Sequence, residues 1–439
     1  MAEHPELLPY GIIREDLFRP LSRAGSKWWF TVTVCFLLVL AGLAAWGVQL
    51  RDGLGVTGLN RPVFWGLYIV DFVFWIGISH AGTLISAILR LTDAAWRKPV
   101  TRAAEAITLF ALMIGGLFPI IHLGRAWFFY WLIPYPNARL MWPNFRSPLV
   151  WDLVAILTYV TGSAIYLYLP LIPDMAQLGA HNKPWRRKLY TTLSLGWTGS
   201  DREWHALEMA MKLNAVIILA IAISVHTVVA WDFSMSIAPT WHSTMFGPYF
   251  VVGAIFSGIG ALIIVMATLR RTLHLENYLI KRHFDNMSKL MLTMSLLWFY
   301  FTMSEHITIW YGNEPKEMGV FGQRTRGDYA FWFWTMVVVN FVIPVTLLGI
   351  KKLRSITTAV IASFGVLIGM WLERYLIVVP TLVTPRLASA TSVYSPSWVE
   401  LMITVATFAA MILLYLLFAR LFPIIAVWEY KPHSPEEED

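Results

Sequence analysis

Long apolar runs separated by short polar connections make up most of the chain. Runs that can each cross a hydrocarbon core of roughly 30 Å fall at about 28–48, 63–91, 103–132, 149–172, 207–232, 247–270, 288–312, 329–350, 355–379 and 398–422. They predict an all-α integral membrane protein with about ten transmembrane helices. An even number of crossings returns both termini to one side, and the connections say which. Lys and Arg gather in the N-terminal segment (Arg14, Arg19, Arg23, Lys27), the second connection (Arg97, Lys98, Arg102), the fourth (Lys183, Arg186, Arg187, Lys188, Arg202), the sixth (Arg270, Arg271, Lys281, Arg282, Lys289) and the eighth (Lys351, Lys352, Arg354). The positive-inside rule then places both termini in the cytoplasm. Residues 1–27 are polar, so the first apolar run is expected to be a retained span and not a removable signal peptide.

Composition sharpens this picture. Of 439 residues, 57% are hydrophobic and only 14% charged, with a mean hydropathy of +0.59, well outside the range of a soluble chain. The single cysteine, Cys35, lies inside the first apolar run, which excludes a disulfide framework, a Cys-ligated zinc, an iron–sulfur cluster and a C-x-x-C-H haem attachment. An electron-carrying centre would have to be a bound quinone, a haem held by histidines, or a group on a partner chain. The net charge of +7 belongs to the basic connections and is no nucleic-acid signal.

The sequence F-W-G-L-Y at 64–68 ends 24 residues beyond its glycine at Arg90; F-G-P-Y-F at 246–250 ends 24 beyond its glycine at Arg271. About 180 residues separate the copies, and in both a helix with a late histidine follows, His122 in one and His306 in the other. Four helices per copy is an even number, which predicts parallel repeats about an axis along the membrane normal. The expected division is a cytoplasmic N-terminal segment (1–27), a peripheral helix with its outer loop (28–62), a first four-helix bundle with the reactive site (63–235), a second four-helix bundle (236–380), and a peripheral tenth helix with an acidic cytoplasmic tail (381–439). Trp and Tyr near the segment ends, Trp151 among them, suit interfacial anchors.

An ionised side chain at the centre of a membrane helix costs roughly 2.5–3.5 kcal/mol, so each needs a partner or a purpose. A hairpin between the third and fourth runs brings His122 and Asp152 to the outer face. A quinol sheds two protons as it gives up two electrons, and an imidazole and a carboxylate beside its hydroxyls can take them. The alternative for this pair is a structural hydrogen bond between two helix ends. Arg125, one turn on, either holds Asp152 ionised and walls the pocket or snorkels to the headgroups. Asp71 lies about 12 Å below the outer end of its helix, deep enough for a proton relay or a helix-packing hydrogen bond. His80, Glu305 and His306 are further proton-path candidates, and Glu373–Arg374 reads first as a buried ion pair and second as a path element. His80, His122, His226 and His306 lie on four helices, so spacing leaves open a haem b between two of them, which a Soret band in the isolated protein would reveal.

The run S-V-H-T-V-V-A-W-D-F-S-M-S-I-A-P-T-W-H-S-T-M-F-G-P-Y-F at 224–250 and the segment G-I-S-H-A-G-T-L-I-S-A-I-L-R at 77–90 resemble the polysulfide-reductase membrane-subunit (NrfD/PsrC) family. Within it, the chain is most similar to the larger quinol-oxidising subunit of bacterial alternative complex III. The resemblance implies menaquinol bound near the periplasmic face as substrate, with no metal or haem in this chain. His122 and Asp152 would line the quinol pocket, with Arg125, Asp71 and Trp151 around it. It further implies partners in a bacterial inner membrane: c-type haem subunits, a periplasmic iron–sulfur subunit and a homologous ten-helix membrane subunit. Protons would be conducted through polar residues of both bundles. Two other functions stay open: a proton channel or secondary transporter in which the bundles alternate access, and a passive paralogous anchor of the same complex.

Overall fold

The computed structural model describes residues 8–22, 24–133, 144–179, 183–384 and 392–430. Residues 134–143, in the connection of the hairpin expected between the third and fourth runs, and the acidic tail lie outside them. Regular structure among the described residues is helical throughout. The helices are α1 (Tyr10–Ser22), α2 (Ser26–Asp52), α3 (Leu67–Leu91), α4 (Thr101–Gly115), α5 (Phe118–His122), α6 (Pro148–Tyr168), α7 (Ile172–Gly179), α8 (Pro184–Leu193), α9 (Asp201–Ser234), α10 (Phe246–Thr272), α11 (Lys281–Gly312), α12 (Pro315–Thr325), α13 (Ala330–Val337), α14 (Ile343–Gly349), α15 (Ile356–Val383) and α16 (Trp398–Leu421).

Nine helices or runs of helix among the described residues are long and apolar enough to cross a membrane. The segment expected at 288–312 does form a helix, the 32-residue α11, but it is not among the nine. Its serines, threonines, tyrosines and the Glu305–His306 pair lower its hydropathy; it packs against α10 and α14, and Met291 and Trp298 are buried. The third expected run is also not continuous. Pro119 has no N–H to give the carbonyl of Gly115, and the helix ends at that residue, restarts as the short α5, and passes through Gly124 (φ 69°) into a 3-10 segment, Ala126–Leu132.

Two closed rings of helices result. In one, α3 packs on α4, α4 on α6, α6 on α9 and α9 on α3; in the other, α10 packs on α11, α11 on α14, α14 on α15 and α15 on α10. The rings meet where α3 lies against α10 and α15, so α3 is buried almost all round. The first peripheral helix, α2, packs chiefly on α16 and leaves most of its surface outward. Local chemistry fits each element. Ser200 and Glu203 form a capping box at the start of α9, and Ser397 and Glu400 form one at α16. Pro344 withdraws a donor from the carbonyl of Asn340; the chain answers with a π turn, Val338–Val342, and Ser295 Oγ donates to that carbonyl at 2.6 Å.

The α3–α4 contact depends on Gly82. An added Cβ there would sit 2.2 Å from the Ala104 carbonyl oxygen and 2.4 Å from Thr108 Oγ1. Gly82→Val is expected to destabilise the protein by about 1–3 kcal/mol in thermal unfolding in detergent.

Candidate functional site

His122 ends α5, and the backbone that carries it is anchored from two other helices. Gln49 of α2 donates to the Ile121 carbonyl at 2.7 Å and accepts from the Tyr68 hydroxyl of α3 at 2.5 Å. The His122 ring stands edge-on to Tyr68, centroids 6.5 Å apart, and its buried Nδ1 has no hydrogen-bond partner. Directly beyond it, Leu123, Gly124 and the exposed Arg125 wall a cavity of about 780 Å³, closed by the end of α2 (Leu50–Leu54) and by Trp127, Phe128 and Trp131 of the 3-10 segment. Phe128 and Trp131 stack at 4.3 Å. Such a cavity, mostly apolar with Arg125 and the Arg51–Asp52 ion pair in its wall, has the size and character of a site for a cyclic organic ligand.

Asp152 lies in the first turn of α6, buried, and its neighbour is not His122. Its carboxyl faces that of Asp232, near the end of α9, within hydrogen-bonding reach. Two carboxyl groups can hydrogen-bond only while one holds a proton, and one oxygen of each has no other hydrogen-bond partner. No hydrogen bond or ion pair joins His122 to Asp152 among the described residues. Trp151 donates its indole N–H to the Phe145 carbonyl at 2.7 Å and packs edge-on to Trp231 at 6.0 Å.

Asp71 does not line the cavity beside His122. It is fully buried in a clamp of three helices, accepting from Trp371 Nε1 of α15 at 2.9 Å and from Thr404 Oγ1 of α16 at 2.5 Å. His80 is tied through Nδ1 to the Ile76 carbonyl at 2.5 Å, and its ring lies 4.5 Å from that of His226. Rings that close leave no room for a porphyrin between them, so this pair does not fit a haem held by two imidazoles. Tyr159 closes the cluster from α6, 4.9 Å from His80.

The second ring uses its polar residues differently. Glu305 accepts from Ser243 at 3.1 Å, and His306 binds the Thr302 carbonyl through Nδ1 at 2.8 Å between Phe321 and Phe333. Glu373 pairs with Arg374 and accepts from Trp298 Nε1 at 2.5 Å, while the Arg374 guanidinium stacks on Phe250 at 4.9 Å. That is a buried ion pair. His226 entered the sequence analysis only as a possible haem ligand, and Asp232, inside the fifth apolar run, was assigned to no site. The signal was present in their burial cost; the partner was not.

The family profile "Polysulphide reductase, NrfD" matches residues 55–386. The chain belongs to the NrfD polysulphide reductase family. The NrfD match runs from just before α3 to just beyond α15, so it takes in both helix rings and leaves α1, α2 and α16 outside. Among individual proteins, the chain is similar to a putative dimethyl sulfoxide reductase membrane subunit of Halobacterium salinarum, 26% identical over 362 residues that cover 81% of this chain and 78% of that one. It is similar to a selenate reductase subunit of Mesobacillus selenatarsenatis, 23% identical over 409 residues, 89% and 93% of the two chains. It is also similar to the Hdr-like menaquinol oxidoreductase integral membrane subunit of Archaeoglobus fulgidus, 22% identical over 427 residues, 91% and 95%.

Proposed function

We propose that this NrfD-family chain is the quinol-oxidising membrane subunit of an oxidoreductase complex of the alternative complex III type, set in a bacterial inner membrane. One observation carries the reading: a half-buried imidazole with a buried, unpartnered Nδ1 immediately precedes Leu123 and Gly124, which wall an aromatic-lined cavity of about 780 Å³. In this reading a menaquinol ring enters between the end of α2 and the 3-10 segment, stacks on the Phe128–Trp131 pair, and passes one hydroxyl proton to His122. The Asp152–Asp232 pair takes the second, and Arg125 faces the ring from the rim. The two electrons leave for iron–sulfur and c-type haem groups of partner subunits docked on the outer face. The name of the Archaeoglobus relative, a menaquinol oxidoreductase subunit, supports the substrate class.

With α11 counted as a span the chain crosses ten times, and the basic even-numbered connections then keep both termini in the cytoplasm. Asp71, His80, Glu305 and His306 would serve proton movement through the two rings, while Glu373–Arg374 holds α15. A photoreactive menaquinone analogue is expected to label peptides from 50–54 or 123–132, with label displaced by excess unmodified quinone. Displaceable label confined to other segments would move the site elsewhere.

A further inference from the structure

A second groove, of about 630 Å³, lies at the opposite pole, between the last turn of α3 and the first half of α9. Its wall toward the membrane centre is apolar: Leu213 is 60% exposed and Val216 continues the strip. Its floor is Arg90. That side chain is only 5% exposed, its buried Nε has no hydrogen-bond partner, its NH1 meets the sulfur of Met211 at 3.5 Å, and the Tyr166 hydroxyl adjoins the guanidinium. Glu105 and Glu429 stand 3.9 Å from its NH2, near enough to balance charge but too far to hydrogen-bond. A guanidinium has five N–H donors, and here a buried one lacks an acceptor. Lys212 reaches the same groove from α9 without an ion-pair partner among the described residues.

The charges are ordered along the membrane normal. Glu208 and His205 precede Lys212 on α9, so Glu208 lies about 6 Å nearer the water at 1.5 Å per residue. On α3, Asp93 lies just beyond Arg90 at the chain turn. From the bilayer outward the groove therefore presents apolar side chains, then two cations, then two carboxylates. The two cations of the lining are matched by its two carboxylates, and Glu105 and Glu429 stand behind Arg90, so the groove does not select a purely anionic ligand.

We propose that this groove binds an ethanolamine phospholipid: acyl chains on Leu213 and Val216, the phosphate between Arg90 and Lys212, and the ammonium toward Asp93 and Glu208. A phosphate accepts from the lysine and lies against the Arg90 guanidinium, and the outward acids discriminate for a headgroup that ends in a cation. Lys212 and Glu208 sit on an outward face of α9, so their replacement leaves the packing intact.

The test is lipid retention by the purified full-length protein in detergent, read by native mass spectrometry after exchange into phosphatidylethanolamine or phosphatidylglycerol. Wild type should retain phosphatidylethanolamine in preference. Lys212→Met should lower its occupancy about tenfold, the scale of one charge-assisted hydrogen bond, and Glu208→Gln should erase the preference between the two lipids. Equal retention by wild type and Lys212→Met, or a wild-type preference for phosphatidylglycerol, would overturn the proposal.

Discussion

Replacing His122 with alanine should lower quinol-dependent electron transfer by about 10²- to 10⁴-fold, the range a positioned general base supplies, while the protein still assembles. The second half of that expectation rests on how little the imidazole does for the fold. Its Nδ1 has no partner, and the backbone beside it is held through the Ile121 carbonyl by Gln49. Asp152→Asn should cost less, about tenfold, because Asp232 beside it can still accept a proton. The double variant Asp152→Asn/Asp232→Asn removes both carboxyl groups and should approach the loss seen in His122→Ala. The measurement is the rate of haem reduction in the isolated complex with a soluble menaquinol analogue, with the composition of the complex checked by gel. Undiminished turnover in a fully assembled His122→Ala complex would remove His122 from the reaction.

How far this site was legible in the sequence follows from what a helix hides. Apolar length and flanking charge located the spans, because burial in lipid imposes both on the sequence directly. Depth was also legible: His122 and Asp152 fall near the same face because each lies near the end of a run. Azimuth was not. Each residue turns the helix by about 100°, so which neighbour Asp152 faces depends on a rotation that no hairpin length fixes, and it faces Asp232, 80 residues away. Asp71 shows the same limit more strongly, since its two partners lie 300 and 333 residues along the chain on helices outside its own ring. The break after Gly115 was written in the sequence as Gly115, Gly116 and Pro119, but the apolar run passes through it unbroken and masks it. For α11 the run at 288–312 announced the helix, but its polar residues leave it less apolar than the nine clear spans.

Arg102→Met should produce the largest loss of stability, about 3–5 kcal/mol, because it strands a buried carboxylate. Arg102 is 2% exposed, and its NH1 donates to Asp174 at 2.6 Å and to the Pro423 carbonyl at 3.0 Å, while its NH2 donates to the Pro170 carbonyl at 2.6 Å. Asp174 also accepts from the backbone N–H groups of Val427 and Trp428, at 3.3 and 3.2 Å. One guanidinium thus ties α4, the entry to α7 and the segment after α16 together, and two weak backbone donors would be all that remained for Asp174 without it. Arg102→Lys keeps the charge but not the fork, so it should recover only part of the loss. Removing both charges, as Arg102→Met/Asp174→Leu, should be less damaging than Arg102→Met alone, since no uncompensated ion is then left in the interior. Equilibrium unfolding in mixed detergent, followed by tryptophan fluorescence, orders the three variants; a double variant no more stable than the single one would show that the hydrogen bonds to the chain end, and not the stranded charge, dominate.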